Sequence, residues 1–227
     1  GEWFDTVSNC VTFSITTKPE KKHDVREFRH ALVRLMSLCH GIALEEVSDN
    51  QFDLSTIDVL GLDLRTLEHL TNCSTRYHFN KVEVNIHLIQ TLITTAFNRN
   101  ILDVPAPILS RVFQTISRGF VNYLNAKKIA AVKFPFPYSQ LTAFLLLAST
   151  FLTPLMLSAV IKNQVFTAVF SFLQIFALSA INYVSIELEN PFGLDENDLQ
   201  LEEFQLEMNK CLMMLLHPNT DFIAGTG

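Results

Sequence analysis

Two stretches of this chain are apolar on every helical face: YSQLTAFLLLASTFLTPLMLSAVI (138–161) and QVFTAVFSFLQIFALSAINYVSI (164–186), separated only by Lys162 and Asn163. At 1.5 Å per residue each predicts a helix of roughly 35 Å, and a bilayer's hydrocarbon is about 30 Å thick. So short a connection makes the two spans antiparallel and returns both flanking regions to one side. A buried hairpin in a large soluble core is the competing reading, but soluble core helices seldom run so far without a charge on some face. Lys162 is the one charge between 134 and 186. No ionisable residue lies inside either span, so the usual marker of a proton relay or ion-coupled transporter is missing. Pro154 predicts a kink that frees a carbonyl near Thr150, with Ser149, Thr150 and Thr153 as candidate donors. Gln140, Gln174 and Asn182 are expected to face other helices.

Elsewhere the pattern switches to amphipathic helix. Phe28, Leu32, Leu35 and Cys39 form one stripe; Ile86, Ile89, Ile93 and Phe97 a second; Leu109, Val112, Phe113, Ile116, Phe120 and Leu124 a third. Asp24, after the polar KPEKKHD, is the expected N-cap of the first. Between the first two stripes an acidic insert, 45–76, predicts loop plus one or two short helices. Near the C-terminus Leu199, Phe204, Met208, Cys211, Leu212 and Leu215 predict another helix, with Glu202, Glu203 and Glu207 on its wet face and the tail HPNTDFIAGTG fraying. The chain therefore divides into a helical region (1–133), two membrane helices (134–186), and an acidic turn with helix and tail (187–227).

Charge and chemistry narrow the function. With 17 basic against 23 acidic residues and a net charge of -6, there is no basic face for nucleic acid. Lys127, Lys128 and Lys133 precede the first span, with Arg111 and Arg118 upstream, which assigns the flanking regions to the cytosolic side or its equivalent. Cys10, Cys39, Cys73 and Cys211 show no C-x-x-C pair or zinc-ligand spacing and fit buried packing in a reducing compartment. Nucleotide, metalloprotease and hydrolase motifs are missing and the seven His residues are dispersed, so the reading is of no enzyme and no small-molecule substrate. The sequon at Asn72 would not meet glycosylation machinery on the cytosolic side. GEWFDTVSNC is neither a signal nor a transit peptide, and a start at Gly1 suggests processing or part of a longer protein.

ELENPFGLDEND (187–198) packs five carboxylates behind an uncharged span. Two readings stay open. Asn190 to Gly193 can be a turn, with Asp195, Glu196 and Asp198 capping the next helix; or the same hard oxygens can hold Ca²⁺.

VPAPILSRVFQTISRGFVNYLNAKKIAAVKFPFPYSQL (104–141) and ELENPFGLDENDLQLEEFQLEMNKCL (187–212), spaced by the hairpin, resemble the C-terminal half of the bestrophin anion-channel family. KFPFPYSQ is similar to the bacterial, plant and algal branch. The resemblance covers 80–212 well and 1–45 loosely; it does not place the acidic insert. It implies an all-α membrane protein, a homopentamer in the lipid bilayer with four membrane helices per subunit, and passive passage of chloride or bicarbonate. This chain carries the last two spans; the pore's hydrophobic neck would come from a span before Gly1. By motif, PAPILSRVF makes Ile108 the cytosolic pore aperture, against the plain reading of Ile108 as its stripe's first core residue. Arg111 and Arg118 would attract anions, unless salt-bridged or solvated. The calcium clasp carries over as the Asp195 and Asp198 side chains with the Glu187 and Asn190 carbonyls. A plasma membrane or a plastid (thylakoid) membrane is implied as the location. The alternative is a non-conducting membrane scaffold or accessory subunit without a neck.

Overall fold

The computed structural model describes residues 1–15, 19–49, 54–132, 135–189, 191–193 and 197–222, and among them there are helices and turns but no strand. Among the described residues eight α-helices run in order: α1 (Glu2–Phe13), α2 (Lys22–Val47), α3 (Leu64–Thr75), α4 (Lys81–Asn98), α5 (Ala106–Ala131), α6 (Phe136–Val160), α7 (Gln164–Glu187) and α8 (Leu201–Met214). They form two compact units, Gly1–Lys127 with Gln200–Gly227, and Lys128–Leu199. This differs from the three-part division of the sequence, because α8 buries its apolar face against α1 and α2 and so belongs with the first unit.

Within the first unit α2 is the central element, packed on α1, α4 and α8. Phe28, Leu32, Leu35 and Cys39, the expected stripe, are all buried. Burial pushes the Cys10 thiol up to about 12 and the Cys39 thiol further, so both act as small apolar residues. A 3-10 turn, Pro19–Lys21, leads into α2, which moves the N-cap to Lys21 and leaves Asp24 in the first turn beside the positive end of the helix dipole. The helix also runs into the acidic insert, carrying Glu45 and Glu46 in its last turns. The rest of the described insert is a 3-10 turn at Val59–Gly61 and α3, which Asp63 caps by accepting from the Thr66 backbone N–H at 3.4 Å.

The face of α8 is rotated from its expected position. Leu201, Gln205, Met208, Leu212 and Leu215 are buried, whereas Leu199 and Phe204 are exposed and Cys211 is half-buried. A glutamine tolerates that burial because its partners wait on α2. Gln205 Nε2 donates to the Ser37 carbonyl at 3.2 Å, and its Oε1 lies 2.6 Å from His40 Nδ1. Since the amide oxygen only accepts, His40 Nδ1 carries the proton; burial holds this imidazole below its ordinary value. Ser37 Oγ donates to Asn209 at 2.6 Å, and Asn209 Nδ2 donates to the Ser55 carbonyl at 2.8 Å. Glu202, Glu203 and Glu207 stay exposed, as the pattern predicts. The chain after α8 is held through Asp221, whose carboxylate accepts two bonds from Arg29 at 2.9 Å, so fraying does not begin before that residue.

In the second unit α6 and α7 pair along their length. Both are long and apolar enough to cross a bilayer, and Ser171 is their one buried residue. Phe144, Phe151, Phe166 and Phe172 are exposed around them, the surface a hydrocarbon solvent requires. Asn163 caps α7 by accepting from the Val165 backbone N–H at 3.0 Å. Pro154 lies inside α6, but Ser149 and Thr150 both donate to the Leu146 carbonyl, at 2.9 and 2.8 Å. Their hydroxyls reach back one turn, not forward to the carbonyl that Pro154 leaves without its donor. Gln140 and Gln174 are exposed, while Asn182 is half-buried.

Gly119 on α5 lies under the Trp3 indole: a Cβ there would overlap Trp3 Nε1. Gly119→Ala gains helix propensity of up to about 1 kcal/mol, yet it must displace a rigid, buried ring. Net destabilisation of about 1–3 kcal/mol is expected, read as a lower urea midpoint of the purified protein, with Trp3→Leu relieving it in the double variant. Equal midpoints for Gly119→Ala and wild type would show that the indole moves freely.

Candidate functional site

The third apolar stripe becomes α5, which starts after Pro105. Pro107 occupies its first turn, where no intrahelical N–H is needed, and the Ile108 and Leu109 N–H groups both donate to the Pro105 carbonyl, at 2.9 and 3.2 Å. The helix then divides cleanly. Leu109, Val112, Thr115, Ile116 and Tyr123 are buried, while Ile108, Arg111, Gln114, Arg118 and Val121 are exposed. Ile108 is therefore not the first core residue of its stripe; Leu109 is. An isoleucine left 45% exposed beside the proline start of a long helix is an apolar group offered outward.

Arg111 and Arg118 lie on one face, as their spacing of seven predicts, and border an open depression with Ile108 and with Asn9 and Phe13 of α1. Their electrostatics differ. Arg118 Nη2 pairs with Glu2 Oε2 at 3.1 Å, so much of its charge is compensated. Arg111, one turn from Ile108, makes no ion pair among the described residues.

Sequence reading missed the group that holds the far end of α5. One carboxylate oxygen, Glu46 Oε2 at the end of α2, accepts from Tyr123 OH at 2.5 Å, Lys127 Nζ at 2.7 Å and Asn80 Nδ2 at 3.2 Å. Asn80 is also the N-cap of α4, accepting from the Glu83 backbone N–H at 3.1 Å. Three helices thus meet at one oxygen. Burial by itself would raise the Glu46 carboxyl, but the bonds from Lys127 and Tyr123, the Lys127 charge and the Asn80 bond outweigh it and hold the group below its ordinary value. The partners are separated by 34 to 81 residues, so no local pattern announces them. A tyrosine and a lysine four apart, on a helix facing an acid-rich insert, were the only available hint.

Of the acidic turn, Asn190, Asp195 and Glu196 lie outside the described residues, as does Lys133 before the first span. Glu187 is the last residue of α7 and is exposed; Asp198 is half-buried. The Leu199 N–H donates to the Pro191 carbonyl at 3.0 Å, closing the turn. Because α8 starts at Leu201 with Gln200 at its N-cap, Asp198 precedes the helix and does not cap it. Glu202 and Glu203 are the acids in the first turn.

Comparison with known proteins assigns this arrangement to a family. The sequence profile described as Bacterial/Fungal Bestrophin protein matches residues 15–213. Two crystal structures of a bacterial bestrophin homologue from Klebsiella pneumoniae superpose with a TM-score of 0.69 each. One is 15% identical and covers 95% of this chain and 77% of its own. The other is 14% identical, with coverage of 94% and 76%. A further structure, described as a membrane protein, gives a TM-score of 0.70 at 14% identity, again covering 94% and 76%. No curated protein sequence matches the chain.

The depressed Glu46 carboxyl has a pH consequence. Its contribution to stability is complete above its ordinary value of 4.5 and is lost as pH falls through the lower folded value. Glu46→Gln is expected to lose about 1–3 kcal/mol at pH 7, and the gap to wild type should close at pH well below 4.5 in thermal melts. A gap that is constant with pH would show that the charge of Glu46 contributes nothing.

Proposed function

The chain belongs to the bacterial/fungal bestrophin family, and from that premise we propose that it is a subunit of a passive anion channel conducting chloride or bicarbonate as a homopentamer in a lipid bilayer. The observation that carries this reading is the outward Ile108 at the proline start of α5, with Arg111, which makes no ion pair among the described residues, one turn along. Five copies of Ile108 around an axis make an apolar ring, which bars ions by dewetting and sorts anions by how readily they shed water. Arg111 raises the local anion concentration beside that ring. Conduction makes and breaks no bond, so no side chain is assigned a catalytic role. Lys127 and Lys128 ahead of the first span favour the cytosolic or stromal side for the region before it, in a plasma or plastid membrane.

Calcium regulation is the finer part of the proposal. The donors near the turn are hard oxygens, the ligands Ca²⁺ prefers. The Glu187 carbonyl belongs to the last turn of α7, where carbonyls lack intrahelical partners. Asp195 and Asp198 would hold the ion with the carbonyls of Glu187 and Asn190, and the bound charge would tie the turn to the end of the membrane helix.

In liposomes, the full-length protein is expected to give passive anion flux. Ile108→Ala should change the permeability ratio of large to small anions severalfold, and Arg111→Gln should lower flux at low salt with the deficit shrinking at high salt. Wild type without flux, with or without calcium, would favour a non-conducting scaffold. For calcium, a rise in Tm on adding millimolar Ca²⁺ is expected in wild type and not in Asp195→Ala/Asp198→Ala. A wild-type Tm indifferent to calcium would remove the ion from the account.

A further inference from the structure

From Val104 to Ile186 the sequence holds no Asp or Glu, so α5 has no carboxylate of its own and any negative charge at its exposed face must come from another element. α1 brings one. Consecutive residues of the two helices meet: the Trp3 indole, 8% exposed, lies on Gly119, and Glu2 Oε2 lies 3.1 Å from Arg118 Nη2. The register that buries Trp3 therefore also fixes Glu2 beside Arg118. That carboxylate oxygen is buried and has no hydrogen bond among the described residues, which leaves the guanidinium to compensate it. Further along α1, Asn9 and Phe13 border the depression that Ile108, Arg111 and Arg118 line.

The pairing changes what this face offers an ion. A lone cation attracts an anion with an energy that falls only as the inverse of distance, whereas a cation beside a carboxylate acts as a dipole, whose reach is much shorter. The Arg118 side chain is 68% exposed and that of Glu2 30%, so the cation is the member of the pair that solvent and ions reach. Without the charge of Glu2, Arg118 would present its full field beside Arg111.

We propose that Glu2 sets the strength of anion attraction at the α5 face, compensating Arg118 so that Arg111 carries most of the field. The inference rests on the channel reading and concerns the regulation of that same site. Chloride flux and the chloride-to-potassium permeability ratio, measured on the full-length protein in liposomes, test it. At about 10 mM salt, where charges act over roughly 30 Å, Glu2→Gln is expected to raise both severalfold. Arg118→Gln, which leaves Glu2 uncompensated, should lower both, and the double variant should fall between the two single ones. At about 1 M salt, where that range is roughly 3 Å, the differences should vanish. Glu2→Ala removes the same charge and serves if Glu2→Gln does not fold. Flux lowered by both single variants, a permeability ratio indifferent to the charge of Glu2, or differences that persist at high salt would each overturn the proposal and leave Glu2 a packing role. Wild type without flux would overturn it together with the channel reading, whereas wild-type flux with an inert Glu2→Gln overturns this proposal only.

Discussion

The helical body depends on burial of the apolar face of α2. Leu32, Val33, Met36 and Cys39 are almost wholly removed from solvent, and α1, α4 and α8 achieve their own burial by packing on that helix. At about 25 cal/mol per Å² of apolar surface, no single polar contact here competes with that sum. What the polar groups do is determine which arrangement the burial adopts. Ser37 and His40 receive Gln205 and Asn209 of α8, and Glu46 receives Asn80 of α4 with Tyr123 and Lys127 of α5. A buried glutamine or carboxylate left without these partners would be strongly unfavourable, so each network penalises any other register.

That arrangement explains why α5 presents an uncovered face. Its inner side is committed to the core at Leu109, Val112 and Ile116; Gly119 admits the Trp3 ring; Tyr123 and Lys127 are held by Glu46. The outer side, with Ile108 and Arg111, is thereby held rigid without being covered. The proposed ring of one side chain per subunit would need that rigidity, because a small shift of each copy would change the aperture on every side at once. Pairing Arg118 with Glu2 narrows the proposed anion attraction to Arg111.

Much of this was legible in the chain. The two membrane helices differ from their sequence bounds by only a residue or two, since unbroken apolarity has one stable form in hydrocarbon. The apolar residues of the α2 stripe are buried as expected, and the motif residues at Ile108 pointed to the helix start. The α8 face was misread because Gln205 counts as polar in any local pattern and is buried only by virtue of His40 and Ser37. Asp24 lost the N-cap because a preceding 3-10 turn started the helix earlier, and Asp198 lost it because α8 starts later. The Glu46 cluster was invisible for the same reason as Gln205: its members are far apart in sequence.

The sequence by itself determined the class of the protein, the hairpin and the family, because hydrophobic period and motif spacing are local properties that survive without tertiary context. The tertiary structure alone decided which polar residues are buried and, among the described residues, that Arg118 is ion-paired while Arg111 is not and that Asn85 Oδ1 has no hydrogen-bond donor. Those outcomes depend on which groups from distant helices arrive together, and desolvation charges their cost only once the chain has closed around them.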